Sequence, residues 1–381
     1  MEADCIEKVA VVGSGTMGHG IAEVCAIAGL EVGITDVKQE FLDNAMESIS
    51  ASLEKLEEKG KLTSSEREGA LNRITTNLST EIVVAPCQLA IEAVPEKMEI
   101  KQNVFHNIDQ AIEETALIAT NTSSLSVSDL SSEVSKPERF LGIHFFNPPV
   151  RMKLVEVIKG AKTEESAVET AMDFSRRLGK EPVYCRKDSP GFIVNAILFP
   201  YLLEAVWLRE EEGLNPEVMD SAVVEKLGFP MGPFELLDLV GLDVAKEIGE
   251  VIGWPIPPSV EDKVEIGHLG RKSKRGFYDY SAEGPSYSPE EGKDFNPVPL
   301  FAVMANESAG VLEEGVASAG DIDLAMELGA GLPEGPIKLA QQKGLQKMRE
   351  GLEYLAELSS TAEGRYQAYG PLKEGYSEYG V

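Results

Sequence analysis

The feature that most constrains the fold is a glycine-rich turn near the N-terminus, Gly13-Ser-Gly15-Thr-Met-Gly18. It follows the β-branched run VAVV and precedes a segment with helical spacing, and Asp36 ends the next strand-like run, EVGITD. This order favours a dinucleotide-binding unit in which the helix N-terminus holds the pyrophosphate. A carboxylate at Asp36 can accept hydrogen bonds from ribose hydroxyls and would repel a 2′-phosphate, which favours NAD over NADP.

As far as about Lys187, short apolar runs alternate with segments of helical spacing. The runs are β-branched and bounded by Gly, Pro or Asn, as buried strands are. They cover residues 9–15, 31–36, 89–94, 116–123 and 140–147. The helical segments between them are 17–29, 38–60 and 96–114. This alternation predicts an α/β domain of the Rossmann type with a doubly wound, mainly parallel sheet.

After Ser189 the strand-like runs stop and the pattern becomes helical. PMGPFELLDLVGL at 230–242 matches PEGPIKLAQQKGL at 333–345 with an offset of 103 residues. Asp220 and Asp323 share this offset, as do Glu204 and Glu307, so we expect a duplicated helical unit. The stretch between the copies is rich in Pro, Gly, Ser and Glu and reads as a linker. The predicted divisions are 1–187, 188–281, the linker 282–297, and 298–381.

Composition limits the partners. The 381 residues suit two or three domains and carry a net charge of −29, which disfavours nucleic acid and anionic membranes. No apolar run approaches the roughly 20 residues that span a bilayer, and the acidic N-terminus does not resemble a secretory signal. Four widely spaced cysteines without a CxxC pair argue for a reducing compartment and against a disulfide framework or a zinc site. We therefore expect a cytoplasmic protein without a metal.

His144 differs from the other three histidines. It ends the apolar run FLGIH and precedes Phe-Phe-Asn-Pro-Pro, beside the predicted nucleotide crevice. The following turn is centred near Val150, so an antiparallel return places Glu156 opposite His144. A carboxylate there would fix the imidazole tautomer and stabilise the imidazolium. By spacing alone, a purely structural hydrogen bond is an equal alternative.

The remaining histidines have ordinary explanations. His19 falls in the first turn of the predicted glycine-loop helix, where packing or a phosphate contact is expected. His106 falls within a helical segment, and His268 falls in a loop. Proton transfer is therefore assigned to His144.

These motifs together resemble the L-3-hydroxyacyl-CoA dehydrogenase family from residue 6 to about 281. The matching motifs are GSGTMG, NTSS at 121–124, HFFNPP, KLVEV, SPGFIVN and MGPFELLDLVGLD. The later repeat resembles the duplicated C-terminal unit of larger members. The resemblance implies an NAD-binding Rossmann-type domain, followed by all-α C-terminal domains like that of 6-phosphogluconate dehydrogenase.

The resemblance also implies roles for individual residues. His144 matches the catalytic base, Glu156 its carboxylate partner, Ser123 the hydroxyl that contacts substrate and nicotinamide, and Asn195 the amide that binds the reacting oxygen. The positions matching NAD contacts are Gly13, Gly15, Thr16, Met17, Gly18, Asp36, Glu92, Lys97, Asn121, Ser123, Asn147 and Lys272. The positions matching substrate contacts are Ser52, Lys59, Ser123 and Asn195, of which the first two share a helix face and would meet coenzyme A.

The implied activity is reversible oxidation of (S)-3-hydroxyacyl-CoA, typically 3-hydroxybutyryl-CoA, in fatty-acid β-oxidation or butanoate-type metabolism. One alternative is a related two-domain dehydrogenase of a small hydroxy acid or sugar acid. Another is a non-catalytic dinucleotide-binding protein, which has no need of the full catalytic set. Two departures bear on substrate fit or domain contacts: Ala196 stands where members usually have Arg, and the basic run 271–275 is altered.

The second helical copy differs from the first where chemistry is expected. Val298 stands at the offset position of Asn195, and the chain has no second glycine loop. We therefore expect one active site per chain. In short members the helical domain pairs with that of another subunit, and a tandem copy can replace this partner. The expected state is a monomer with an intrachain pseudo-dimer, or a homo-oligomer held by other surfaces.

Overall fold

The computed structural model describes residues 3–282, 284–359 and 364–379 and divides the chain into two compact units. The first unit is Met1–Ser189 and the second is Pro190–Val381. Glu283 of the predicted linker, and residues 1–2, 360–363 and 380–381 of the predicted end domains, lie outside the described residues. The four-part division of the chain stays a prediction.

One sheet organises the first unit. Its eight strands, counted over the described residues, lie in the order β3-β2-β1-β4-β5-β6-β7-β8, and every neighbouring pair is parallel except β6–β7. The strands are β1 (Lys8–Val12), β2 (Glu31–Thr35), β3 (Ile74–Thr76), β4 (Leu89–Glu92), β5 (Leu117–Thr120), β6 (Phe140–Phe145), β7 (Leu154–Ile158) and β8 (Glu181–Cys185). The predicted doubly wound, mainly parallel sheet is confirmed.

Seven helices in the described part of this unit connect and cover the strands. They are α1 (Thr16–Ile27), α2 (Gln39–Glu58), α3 (Ser64–Asn72), α4 (Thr80–Val84), α5 (Met98–Ala111), α6 (Val127–Leu130) and α7 (Glu165–Arg177). Strands β4 to β7 bury every residue, which explains their unbroken apolar runs. The sequence analysis missed β3, β8 and helices α3, α4, α6 and α7.

The strand order places the predicted site. The chain runs outward through β1, β2 and β3 and then crosses back to β4 on the other side of β1. Ligands of such sheets bind beyond the carboxyl ends of the strands at this switch point. The glycine loop follows β1, Glu92 ends β4, the 121–124 segment follows β5, and His144 lies near the end of β6.

The second unit is helical. Its described helices are α8 (Val194–Glu212), α9 (Pro216–Leu227), α10 (Pro233–Val240), α11 (Leu242–Ile252), α12 (Pro258–Glu265), α13 (Val298–Glu313), α14 (Ala319–Gly329), α15 (Pro336–Lys343), α16 (Leu345–Leu358) and α17 (Gly370–Glu374). Helices α9, α10 and α11 begin 103 residues before α14, α15 and α16, respectively. The predicted duplication is confirmed, and the long helices α8 and α13 of the two copies pack against each other.

Both copies use the same device to begin a helix. Asp220 accepts hydrogen bonds from the amides of Phe234 and Glu235 in α10, each at 2.9 Å. In the other copy, Asp323 accepts them from the first-turn amides of α15 at 2.8 and 3.2 Å. The N-cap position itself is glycine in both copies, because a Cβ at Gly232 or Gly335 would lie 2.3 or 2.1 Å from the aspartate Cγ. The repeated glycine is therefore explained by this capping aspartate, and the proline after it stands at the first helical position, where its missing N–H is tolerated.

The predicted linker is docked on α9. The Ser221 hydroxyl donates to the carbonyl of Ser288 at 2.7 Å, and the Lys226 ammonium donates to the carbonyls of Lys293 and Phe295 at 2.7 Å. These contacts hold the segment along the first helical copy. In the described residues of either unit, no helix has the length and apolar character to cross a membrane.

Replacing Gly335 by Ala tests the capping arrangement. The new methyl group collides with Asp323, so we expect the free energy of unfolding to fall by about 1–3 kcal/mol, as overpacking does. Gly320, in the first turn of α14, has nothing within 4 Å of its Cβ position and is the matched control. Gly320→Ala should be neutral or stabilising by up to about 1 kcal/mol. Calorimetric unfolding measures both, and equal melting temperatures for the two variants would contradict the model of the cap.

Candidate active site

The glycine loop is shaped by two close approaches. Gly13 has φ +102°, and a Cβ there would lie 2.6 Å from the carbonyl oxygen of Ala93 beyond β4. A Cβ at Gly18 would lie 1.9 Å from the carbonyl oxygen of Gly13. Gly15 is different, because its φ is −61° and the space around its Cβ position is open. Gly15 thus leaves room at the N-terminus of α1, next to Thr16 and Met17 of the first turn.

Asp36 lies directly against this loop. One carboxylate oxygen accepts hydrogen bonds from the amide and the hydroxyl of Ser14, both at 2.7 Å, and the other accepts from the amide of Val37 at 2.7 Å. A carboxylate has about four acceptor sites, so about one remains for a ribose hydroxyl. The open helix N-terminus, without a side-chain cap, and the carboxylate beside it fit the pyrophosphate and ribose of NAD.

Three side chains form a hydrogen-bonded chain in the same sheet. Strands β6 and β7 pair antiparallel with His144 opposite Glu156, as predicted from the turn at Val150. Glu156 is fully buried and its oxygen lies 2.7 Å from His144 Nδ1, while His144 Nε2 lies 3.1 Å from the Ser123 hydroxyl oxygen. Because the carboxylate only accepts, Nδ1 carries the proton and Nε2 is left as the basic nitrogen. His144, 5% exposed, can therefore accept a proton from a hydroxyl beside Ser123.

The backbone of Ser123 is fixed by Glu96. One oxygen of Glu96 accepts hydrogen bonds from the amides of Ser123 and Ser124 at 2.9 and 3.1 Å, and from the hydroxyl of Thr122. Its other oxygen lies 3.0 Å from the ammonium of Lys101. Burial alone would raise the pKa of Glu96, but Lys101 and these donors together lower it. Glu96 is therefore held as a carboxylate, which keeps the 122–124 turn in place.

Sequence reasoning missed Glu96 and Lys101. It assigned cofactor contacts to Glu92 and Lys97, but Glu92 is fully buried, and its oxygens accept from Lys101 at 2.7 Å and Thr120 at 2.8 Å. Burial raises the pKa of Glu92, and the Lys101 ammonium opposes that rise. Lys97 is exposed at the start of α5. Helical spacing could have pointed to Lys101, because it follows Lys97 by about one turn. The cofactor roles of Glu92 and Lys97 stay predictions.

The other predicted cofactor and substrate residues are spread over both units. Asn121 is buried and accepts from the amide of Phe145 at 2.8 Å, which ties the end of β5 to β6. Asn147 is exposed in the loop after β6 and precedes a cis peptide bond to Pro148. In the second unit, Asn195 is buried in the first turn of α8, and Lys272 forms an ion pair with Asp243 at 2.5 Å. Their roles in binding stay predictions.

Ser52 lies on α2 beside a buried carboxyl group of α1. That group is Glu23, which is 1% exposed, and burial raises its pKa to about 7 although the Ser52 hydroxyl lowers it. Lys59, the other predicted coenzyme A contact, is exposed just beyond the end of α2. A substrate group that met Ser52 would therefore lie close to a carboxyl whose pKa is raised by burial.

Replacing Glu23 by Gln tests this burial. A folded-state pKa of about 7 against 4.5 means that the folded chain keeps a proton that the unfolded chain releases, so stability falls as pH rises from 4.5 through 7. Gln cannot ionise and so pays no cost for a buried charge. The free energy of unfolding of Glu23→Gln should therefore exceed that of the wild type by about 1–3 kcal/mol at pH 8.5 and by little at pH 5. Chemical denaturation at both pH values measures this. Glu40→Gln, at an exposed site on α2, should show no pH-dependent gain.

Two family models match the chain. The model described as 3-hydroxyacyl-CoA dehydrogenase, NAD binding domain, matches residues 8–189. The model described as 3-hydroxyacyl-CoA dehydrogenase, C-terminal domain, matches residues 191–280 and also 299–380. Each helical copy is thus matched separately.

Individual proteins are similar over most of the chain. The mitochondrial hydroxyacyl-coenzyme A dehydrogenase of Mus musculus is 40% identical over 291 residues, which is 72% of this chain and 91% of that protein. A 3-hydroxybutyryl-CoA dehydrogenase structure from Escherichia coli K12 has a TM-score of 0.89 at 31% identity and covers 98% of this chain and 99% of its own. An (S)-3-hydroxybutyryl-CoA dehydrogenase structure from Ralstonia eutropha has a TM-score of 0.70 at 36% identity, with 73% and 100% coverage.

Proposed function

The chain belongs to the 3-hydroxyacyl-CoA dehydrogenase family, and from that membership we propose that it oxidises (S)-3-hydroxyacyl-CoA to 3-oxoacyl-CoA with NAD, reversibly. The observation that carries this proposal is the hydrogen-bonded chain from Ser123 through His144 to Glu156, with distances of 3.1 and 2.7 Å. It lies in the same sheet as a glycine loop suited to a dinucleotide. A dinucleotide-binding protein without catalysis has no use for a buried base aimed at a serine hydroxyl.

Each residue of the site has a separate role in the proposed reaction. His144 Nε2 takes the proton of the substrate 3-hydroxyl, and buried Glu156 stabilises the imidazolium that forms. Bound NAD would supply the acceptor for the hydride that leaves C3 as the carbon–oxygen double bond forms. The Ser123 hydroxyl orients the substrate oxygen, and Glu96 fixes the backbone that carries Ser123. In the reduction, His144 returns the proton to the oxygen.

The substrate class rests on the relatives. Proteins named for 3-hydroxyacyl-CoA or 3-hydroxybutyryl-CoA match the chain over both units, so we propose coenzyme A esters in preference to free hydroxy acids. Asn195 is proposed to bind the reacting oxygen, and Ser52 and Lys59 to meet the coenzyme A portion. Lys59 is an exposed ammonium that can pair with a phosphate.

The first test is NADH absorbance with purified protein and (S)-3-hydroxybutyryl-CoA. We expect NADH to form with the (S) ester and NAD, and not with the (R) ester. NADP should be used poorly, because Asp36 repels its 2′-phosphate. Turnover of free 3-hydroxybutyrate but not of its coenzyme A ester would overturn the substrate class.

Replacing His144 by Gln tests the base. Gln lacks a basic nitrogen, so kcat should fall about 10²–10⁴-fold while NADH still binds, as measured by NADH fluorescence. His106→Gln, at an exposed position in α5, is the matched control and should keep full activity. Full turnover by the His144 variant would remove His144 from the role of base.

We propose further that the second helical copy replaces a partner subunit. The two long helices α8 and α13 bury most of their residues and pack against each other, as the halves of an isologous interface do. Analytical ultracentrifugation should then give a mass near 41.3 kDa. A concentration-independent mass about twice as large would reject the monomer and favour an oligomer held by other surfaces.

A further inference from the structure

The loop of residues 146–153 joins the two strands that carry His144 and Glu156. The carbonyl of Pro148 accepts hydrogen bonds from the amides of Arg151 and Met152 at 2.9 and 3.0 Å, which closes a turn inside the loop. The same loop carries Asn147. Its shape therefore decides where Asn147 lies and how β6 meets β7.

A buried lysine holds this loop from the side of β8. Lys180 is 8% exposed, and its ammonium donates to the carbonyl of Pro149 at 2.5 Å and to that of Met152 at 2.8 Å. Among the described residues, no carboxylate forms an ion pair with it. Burial lowers the pKa of Lys180, as expected of an ammonium in this position.

Burying an ammonium in this space costs more free energy than burying an apolar side chain. A methionine would occupy a similar volume without the cost of burying a charge, but it would leave two loop carbonyls without a donor. The gain from Lys180 is therefore a fixed loop and not a filled cavity. The amide of Glu181, the next residue, donates to the carbonyl of Lys153 at 2.9 Å and fixes the far end of the same loop.

Helix α1, which follows the glycine loop, also contacts the 146–153 loop. A Cβ at Gly20 in α1 would lie 2.9 Å from Pro149 Cδ, so the absence of a side chain lets the loop lie against α1. Pro149 thus lies against Gly20 of α1 and also accepts a hydrogen bond from the ammonium of Lys180. This contact joins the helix of the glycine loop to the hairpin of His144 and Glu156.

We propose that Lys180 is a positioning residue for the dehydrogenase reaction, holding the 146–153 loop so that Asn147 and the His144–Glu156 hairpin keep their places beside α1. The proposal rests on the proposed function for its kinetic consequence. Its structural consequence, a fixed loop, does not depend on which substrate is used. Lys180 acts through the loop and is not proposed to contact the reacting atoms.

The test compares Lys180→Met with Lys153→Met. Lys153 is an exposed lysine at the end of the same loop and serves as the matched control. In Lys180→Met we expect kcat/KM for NAD to fall at least about tenfold with (S)-3-hydroxybutyryl-CoA, and amide hydrogen exchange to speed up in peptides covering 146–153 but not in β1. Lys153→Met should stay within about twofold of the wild type. Lys180→Gln keeps an N–H donor without the charge and should recover part of both effects.

The outcomes separate the two proposals. Wild-type kinetics and wild-type loop exchange in Lys180→Met, with only a lower melting temperature, would show that Lys180 serves stability alone and overturn the inference. An inactive wild type would reject the proposed function, yet loop exchange and NADH fluorescence would still decide on Lys180. If Lys180→Met does not fold, Lys180→Gln carries the comparison. Because Gln is expected to recover only part of each effect, wild-type values of both loop exchange and kcat/KM for NAD in that variant overturn the inference.

Discussion

The hydrogen bond between His144 and Glu156 depends on one antiparallel pair of strands in an otherwise parallel sheet. Parallel neighbours need a long crossover, whereas an antiparallel pair can be joined by a short loop. The eight-residue loop therefore brings a base and its carboxylate face to face with little chain between them. Because both side chains are buried, the 2.7 Å contact is poorly screened and the imidazole orientation is well determined.

Part of the fold and of the candidate site could be predicted, because residues close together in the sequence determine it. The glycine turn, the Asp36 position and the 144–156 register each follow from spacing along a single hairpin or βαβ unit. The bonds from Glu96 to the 122–124 turn could not, because they join segments about 27 residues apart whose proximity depends on β4 lying next to β5. The role of Lys180 could not be predicted either, because its partners lie about 30 residues earlier in the chain. In the sequence it follows a helix end and resembles a surface lysine. Strand β3 has three residues, too few for a pattern.

The two helical copies share residues that their folding requires and differ at a position for which a substrate contact is proposed. Both keep the capping aspartate and the glycine that makes room for it, at Asp220 and Asp323. Both also keep a glutamate on the long helix: Glu204 accepts from the hydroxyl of Tyr366 at 2.7 Å, and burial raises the pKa of Glu307 to about 8. The position of Asn195, in contrast, is Val298 in the second copy. The shared residues define a helical scaffold, and the difference falls on Asn195, whose contact with substrate is a proposal.

Several buried ionisable groups of the first unit lie close to the candidate active site. Glu92, Lys101, Glu156 and Lys180 are all buried, and each would destabilise the fold if its partner were removed. Apolar residues of similar volume would avoid that cost, yet these four groups lie along the strands and turns that carry Ser123, His144 and the 146–153 loop. Glu23 on α1 is buried as well, but the four groups contact, directly or through Glu96, the segments that carry Ser123, His144 and the 146–153 loop. The distribution is what a preorganised site requires, since fixed charges can orient a base and a hydroxyl without reorganising during the reaction.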